Sequence, residues 1–497
     1  MQLYAIVLIG VLLFADGGLG MSEGGLGGLG GWAAAALAWA PVFLVVAVTF
    51  GGVEYCRNRL ASGRTPGAVL AADRLARWAR WLLLAHFAVL VLVFGWLEKV
   101  RAVVGDRVLV DEFVAMLPPL VGVVGTWWAY YPIERRVREA VLLRQLDTGR
   151  AIFPTPGRWA YVLTQVRLHL LFLLVPILLI IALAELIDLA ALRWGWPAAA
   201  ADGVTLAAAG LIVLLAPLLT RVVLEVEPVP QGPLHDDLTR ICRQHGVRVR
   251  RLLVWRTHGS MINAAVMGLV GWLRYVLLTD ALLESMSRRQ VEAVMAHEIG
   301  HIRRHHMPWL LLSLLAVIVM VVLPLYGMQR GLAAVVQTSG RLPEWMDAVG
   351  TGMVAAGAAV VIAAFGWVSR RFERQADTFA VRHMSGPPDA QSGEPRSVTG
   401  EAAGIVCSAL ETIARLNAVE PRRRSWRHGS IAWRQAYLQS MVGRGPGPLP
   451  VDRQVRRIKV MAVAVLVLTL GYLVYQGLGG THSEVVRVAI FNALAIT

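Results

Sequence analysis

The sequence predicts a mainly α, polytopic membrane protein of about nine transmembrane helices, interrupted by water-facing segments, one of which carries a small β element. Three observations lead there. Of 497 residues, 56% are hydrophobic and only 16% charged, against roughly 25% charged in soluble domains. The apolar residues fall in blocks long enough to cross a bilayer. The arginines gather in alternate intervals between those blocks.

Blocks of spanning length lie near residues 32–52, 79–97, 113–133, 164–191, 203–223, 307–328, 348–367 and 460–479. An earlier block, 3–15, is shorter than the ~20 residues a span needs and reads as a short or partly interfacial first helix. A signal-peptide core is the alternative, but the start lacks a basic residue and Asp16-Gly17-Gly18 is a poor cleavage site. Arg57, Arg59, Arg64, Arg74 and Arg77 fill the interval 53–78, and a second arginine cluster fills 134–163. The intervals 224–306 and 368–459 are also rich in arginine, whereas 16–31, 98–112, 192–202 and 329–347 hold far fewer. Nine spans with a cytoplasmic N-terminus put every basic interval on one side, and eight spans without the first keep the same sides.

Net charge is +15 (48 basic against 33 acidic residues), and Lys99 and Lys459 are the only lysines. In a soluble protein that excess would suggest nucleic acid. Placed between apolar blocks, it points instead to the anionic face of a lipid bilayer, with no nucleic acid expected. Cys56, Cys242 and Cys407 are far apart and form no C-x-x-C pair. They argue against a disulfide scaffold and thiolate metal ligands, and fit a reducing compartment. The chain therefore divides into an N-terminal transmembrane region of five or six spans (1–223), a water-facing domain (224–306), a helix pair (307–367), a second water-facing region (368–458), and a last span with an outer tail (459–497).

Within 224–306, Pro228, Pro230 and Pro233 punctuate the start, and 234–245 reads as an amphipathic helix with Leu234, Leu238 and Ile241 on one stripe. Two β-like runs follow, 250–255 and 275–279, with Asn263-Ala264-Ala265-Val266-Met267-Gly268 between them. Ser287 is placed to cap a helix that starts near 288 and runs to the membrane surface near Met307. Residues 384–400 read as a flexible loop and 401–458 as helical.

The helix from 288 carries His297-Glu298-Ile299-Gly300-His301. Two imidazoles four residues apart sit about 40° apart around a helix and one turn apart along it, so both can reach one Zn²⁺. Glu298, rotated about 100° from His297, misses the ion yet can serve as general base toward a water bound there. Glu373 at the end of the eighth expected span is the best third ligand, and Asp377, one turn on, can accept the free N–H of a ligand histidine. These parts point to hydrolysis of a peptide bond with one zinc ion per chain. The bland alternative for Glu373 and Asp377 is a solvated helix start among Arg370, Arg371 and Arg374.

Other ionisable residues carry weaker signals. The third-histidine spacing of metzincins requires a histidine at 307, which is Met307, so His305 and His306 read as interfacial, with His306 a candidate helper of the site. His86 and His169 on apolar spans read as satisfied interhelical histidines, and Glu185 and Asp188 either line a polar cavity or snorkel to the surface.

From Arg256 onward the chain resembles the integral-membrane zinc metallopeptidases that include the CAAX prenyl endopeptidase and the heat-shock protease HtpX. The blocks that carry the resemblance are 256–264, ending in Asn263-Ala264, then 276–283, 291–301, Ser369-Arg370-Arg371-Phe372-Glu373-Arg374-Gln375-Ala376-Asp377, and 426–434. The resemblance covers about 234–440. It implies a zincin-like cytoplasmic metallopeptidase domain with His297, His301 and Glu373 as zinc ligands, Glu298 as general base and Asp377 supporting them. It further implies that Asn263-Ala264 pairs with an extended substrate backbone. His428 becomes a candidate catalytic residue on the substrate or oxyanion side, with Arg434 as a structural or charge partner. Gly429 stands where that family's block has proline, and the span at 460–479 has no obvious equivalent in either relative.

The reading that follows is a membrane-embedded zinc endopeptidase acting on membrane proteins or lipidated peptides at the cytoplasmic face of a bacterial inner membrane, in quality control or CAAX-type processing. The other class is a transporter or scaffold that retains a metal site without turnover. An intact Glu298 beside intact ligands argues against it, because a scaffold has no obvious use for that base.

Overall fold

The computed structural model describes residues 2–14, 31–62, 66–147, 155–259, 261–339, 345–386, 397–417, 419–445 and 447–478. The cleavage-site reading at 16–18, most of the loop at 384–400 and the tail beyond 478 lie outside them. Two compact units meet in sequence between Glu225 and Val226.

The first unit is helical: α1 (Gln2–Phe14), α2 (Gly31–Ala61), α3 (Pro66–Leu92), α4 (Trp96–Val104), α5 (Val110–Asp147), α6 (Arg158–Val166), α7 (Phe172–Trp194) and α8 (Ala198–Val223). A five-residue π segment, Arg167–Leu171, joins α6 to α7 into one continuous rod. Tyr4, Leu8 and Leu12, one turn apart on α1, pack into a core with Leu83 and Phe87 of α3, Met116 and Trp127 of α5, and Leu174 of α7. The short first helix is thus a packed element of this unit. Several charged groups here are paired locally. Arg101 bridges Asp111 at 2.6 Å and Glu112 at 3.1 Å, and Glu185 accepts the backbone N–H of Leu109, whose φ is +64°.

The second unit opens with β1 (Val226–Pro228), α9 (Pro233–Gln244), β2 (Arg251–Trp255), β3 (Ala264–Met267) and β4 (Tyr275–Thr279). They form a sheet of order β1-β2-β4-β3, with β2 and β4 parallel and the outer pairs antiparallel. Every residue of β4 is buried, as its unbroken Tyr-Val-Leu-Leu-Thr run requires of a central strand. The segment that begins at Asn263-Ala264 lies at the edge. Helices α10 (Asp280–Ser285), α11 (Arg288–Arg303), α12 (His306–Ser339), α13 (Trp345–Met384), α14 (Gly400–Leu416), α15 (Ile431–Gln439) and α16 (Pro450–Leu478) complete the unit.

Six helical stretches among the described residues are long and apolar enough to cross a membrane: Gly31–Ala61, Gly67–Leu92, Val110–Ala140, Arg158–Trp194, Ala198–Val223 and His306–Met328. They coincide with six of the nine expected spans. The other three expected spans fall on α1, α13 and α16, which do not meet that measure over their described residues.

One local expectation is corrected. The helix from 288 does not continue to Met307: α11 stops at Arg303, His305 has φ +53°, and α12 starts afresh at His306. Pro308 supplies the reason. Inside a continuous helix it would leave the Arg304 carbonyl without an N–H donor, whereas in the first turn of a new helix it is tolerated. Lys459 Nζ donates to the freed Arg304 carbonyl at 2.9 Å.

Candidate metal centre

The site is built where α11 crosses α13. Ser287 caps α11 through a reciprocal capping box with Gln290, and the Gln290 amide also reaches Ser408 and Thr412 of α14. The crossing is close because Gly300 has no side chain. A Cβ there would lie 3.1 Å from Phe379 Cβ and 3.2 Å from Ala376 Cα. That proximity brings His297 and His301 against Glu373 and Asp377.

Donor atoms from His297, His301 and Glu373 all lie within 4.8 Å of one another. The two Nε2 atoms are 3.2 Å apart, Glu373 Oε2 is 3.6 Å from His297 Nε2, and Glu373 Oε1 is 3.9 Å from His301 Nε2. Bonds of about 2.0–2.1 Å at tetrahedral angles set neighbouring ligands about 3.3–3.4 Å apart. Two imidazole nitrogens and a carboxylate at these separations therefore fit one divalent ion. Burial, with His297 alongside, pushes the His301 imidazole down to about 4, which leaves it neutral as a ligand must be.

A ring of charge holds these donors. His297 Nδ1 lies 3.0 Å from Asp377 Oδ1. Arg434 grips Asp377 with two hydrogen bonds of 2.7 and 2.6 Å and lies 3.4 Å from Glu373 Oε2. Burial raises the Asp377 carboxyl, but Arg434 and the His297 N–H outweigh it and hold it at about 2. Glu373 likewise sits well below the usual carboxylate range, with His428 and then Arg434 overcoming burial. Burial pushes Glu298 the other way, up from the carboxylate range, against the pull of His297 and of the Val266 N–H on β3.

His428 Nδ1 is 2.9 Å from Glu373 Oε1, with half of its side chain exposed. It rides on a turn closed by the Gly429 N–H donating to Ser425 O. Gly429 has φ +75°, which proline cannot adopt, so the proline of the resembling block has no place in this turn. Asn263 extends the edge strand by accepting the Thr279 N–H at 3.0 Å.

Sequence reasoning missed several residues that shape the site. Asp280 is buried and accepts from Thr257 N, Thr257 Oγ1, His258 N and Ala281 N, which anchors the loop before β3. Asn417 clasps both backbone groups of Ile262 at 2.9 and 2.8 Å. Gln375 and Asp452 connect to the centre through His306. Nothing in their spacing announces the links from Asp280 to Thr257, from Asn417 to Ile262 or from Gln375 to Asp452, which join separate segments of the chain.

Residues 228–394 match the model described as peptidase family M48. That match spans about a third of the chain and makes the segment similar to this family. The match takes in Asn263, the His297–His301 helix, Glu373 and Asp377, and stops short of His428 and Arg434. M48 is a family of metallopeptidases, and the matched segment sits in a chain with six described helical stretches long and apolar enough to cross a membrane. The crystal structure of S. mikatae Ste24p is similar at 14% identity, over 81% of this chain and 98% of that one, with a TM-score of 0.32. None of the curated proteins matches the chain.

Proposed function

We propose that this chain is a zinc-dependent endopeptidase that cleaves membrane-associated proteins or lipidated peptides at the cytoplasmic membrane face. The observation that carries the reading is the set of three donor atoms at ligand spacing, with Glu298 on the same helix as both histidines. His297, His301 and Glu373 would hold one zinc, which would supply Lewis acidity to acidify water and polarise a carbonyl.

Glu298, raised by burial, takes the proton of the attacking water and returns it to the leaving amine nitrogen. Asp377 fixes the His297 tautomer, and Arg434 keeps Asp377 ionised. The edge strand β3 pairs with an extended substrate backbone beside α11, with Asn263 and Ala264 at its start. His428, exposed and hydrogen-bonded to Glu373, meets the substrate or its oxyanion. The arginine-rich intervals support a cytoplasmic site. The near-absence of lysine favours a high-GC bacterial source and quality control over processing of prenylated tails.

The test is Glu298→Gln in purified, zinc-replete protein with a membrane-anchored reporter. Zinc content stays at one per chain and cleavage disappears. Undiminished cleavage by the variant refutes the assigned mechanism, and a wild type that cleaves nothing under these conditions favours a scaffold.

A further inference from the structure

Four side chains run from the metal centre to the first turn of α16: His301, His306, Gln375 and Asp452. In such a chain a neutral imidazole or an amide can face either way, but a carboxylate only accepts. Asp452 therefore sets the direction. Its Oδ2 takes the Leu449 N–H at 2.9 Å and its Oδ1 takes Gln375 Nε2 at 2.6 Å, with Arg304 at 3.7 Å. Gln375 must then present Oε1 to His306 Nε2, 2.9 Å away, and that nitrogen carries the proton. His306 Nδ1 is left bare, 3.0 Å from His301 Nδ1, which must donate. His301 keeps its lone pair on Nε2, the nitrogen that faces His297 Nε2 and Glu373. Phe372, stacked on the His306 ring at 4.6 Å and 9°, holds the plane in which this works.

We infer that His306, Gln375 and Asp452 are positioning residues that dictate the tautomer of His301 before any metal arrives. His297 receives the same instruction directly from Asp377, whereas His301 receives it across three links from the C-terminal helix. The identity of what Nε2 meets rests on the metal reading above; the polarity of the chain does not.

Asp452→Asn is the discriminating change because it is isosteric and reverses the polarity. The Leu449 N–H still requires an acceptor, so the new amide turns its oxygen there and its NH₂ toward Gln375. Gln375 then flips, His306 takes its proton on Nδ1, and His301 is driven to carry its proton on Nε2, where it blocks ligation. Two readouts are needed. Histidine ¹⁵N shifts of the metal-free protein, assigned by loss of the signal in His301→Gln, give the tautomer. Competition against a chromophoric chelator gives zinc affinity. The expected wild type has His301 protonated on Nδ1. The variant has it on Nε2 and binds zinc about 10- to 100-fold more weakly.

A wild-type His301 protonated on Nε2 overturns the inference even if the variant fails to fold. So does an Asp452→Asn protein whose zinc affinity stays within about twofold of wild type. A wild type that binds no zinc refutes the metal reading alone, and the two tautomers still decide the chain.

Discussion

Arg434 and Asp377 meet as a two-pronged pair, Nε to Oδ2 at 2.7 Å and Nη2 to Oδ1 at 2.6 Å, with both side chains buried. Breaking such a pair from one side strands a charge. Arg434→Ala is expected to destabilise the protein by about 3–5 kcal/mol, and Arg434→Lys, which keeps charge but loses the fork, by less. Thermal unfolding in detergent checks this, and an unchanged midpoint for the alanine variant contradicts it.

Glu373→Gln keeps the size of the third donor and removes its charge. Zinc stoichiometry should fall well below one, and the unfolding midpoint should become insensitive to chelator. The wild type should instead lose stability on chelation, by about 2.7 kcal/mol from a starting free zinc of about 100 times Kd. Equal responses of the two proteins would show that residue 373 is not a ligand.

Gly300→Ala tests the helix crossing. The added methyl meets Phe379 Cβ at 3.1 Å and the Ala376 backbone at 3.2 and 3.3 Å, so α11 and α13 must move apart by tenths of an ångström. The expected loss is about 1–3 kcal/mol, accompanied by weaker zinc binding. Calorimetry of both variant and wild type measures the two effects together.

Gly429→Pro should damage this protein. The backbone at φ +75° cannot accept a ring fixed near −65°, so the turn opens and His428 leaves Glu373. Turnover should fall by about 10²-fold with zinc content unchanged. Wild-type turnover in this variant would remove His428 from the mechanism.

Much of the centre was legible because its signals are local. The capping box at Ser287, the i, i+4 histidines and the buried run of β4 each declare themselves within a few residues. Glu373 was read from its place at the end of an expected span, and Asp377 from its spacing one helical turn further on. The break at Arg304 was missed because the apolar pattern of α12 masks the one local clue, Pro308. Asp280, Asn417 and Asp452 were illegible for another reason: what each contributes is a hydrogen bond to a segment placed there only by the finished fold. The span count sits between these cases, since apolar length fixes where a helix lies more firmly than whether it crosses a bilayer.

A single helix, α13, carries Glu373, Gln375 and Asp377 within five consecutive residues. The acidic donor, the link toward His301 and the brace for His297 are thus rigidly ganged together. Sliding or twisting this rod by one helical step of about 5.4 Å would disengage all three at once.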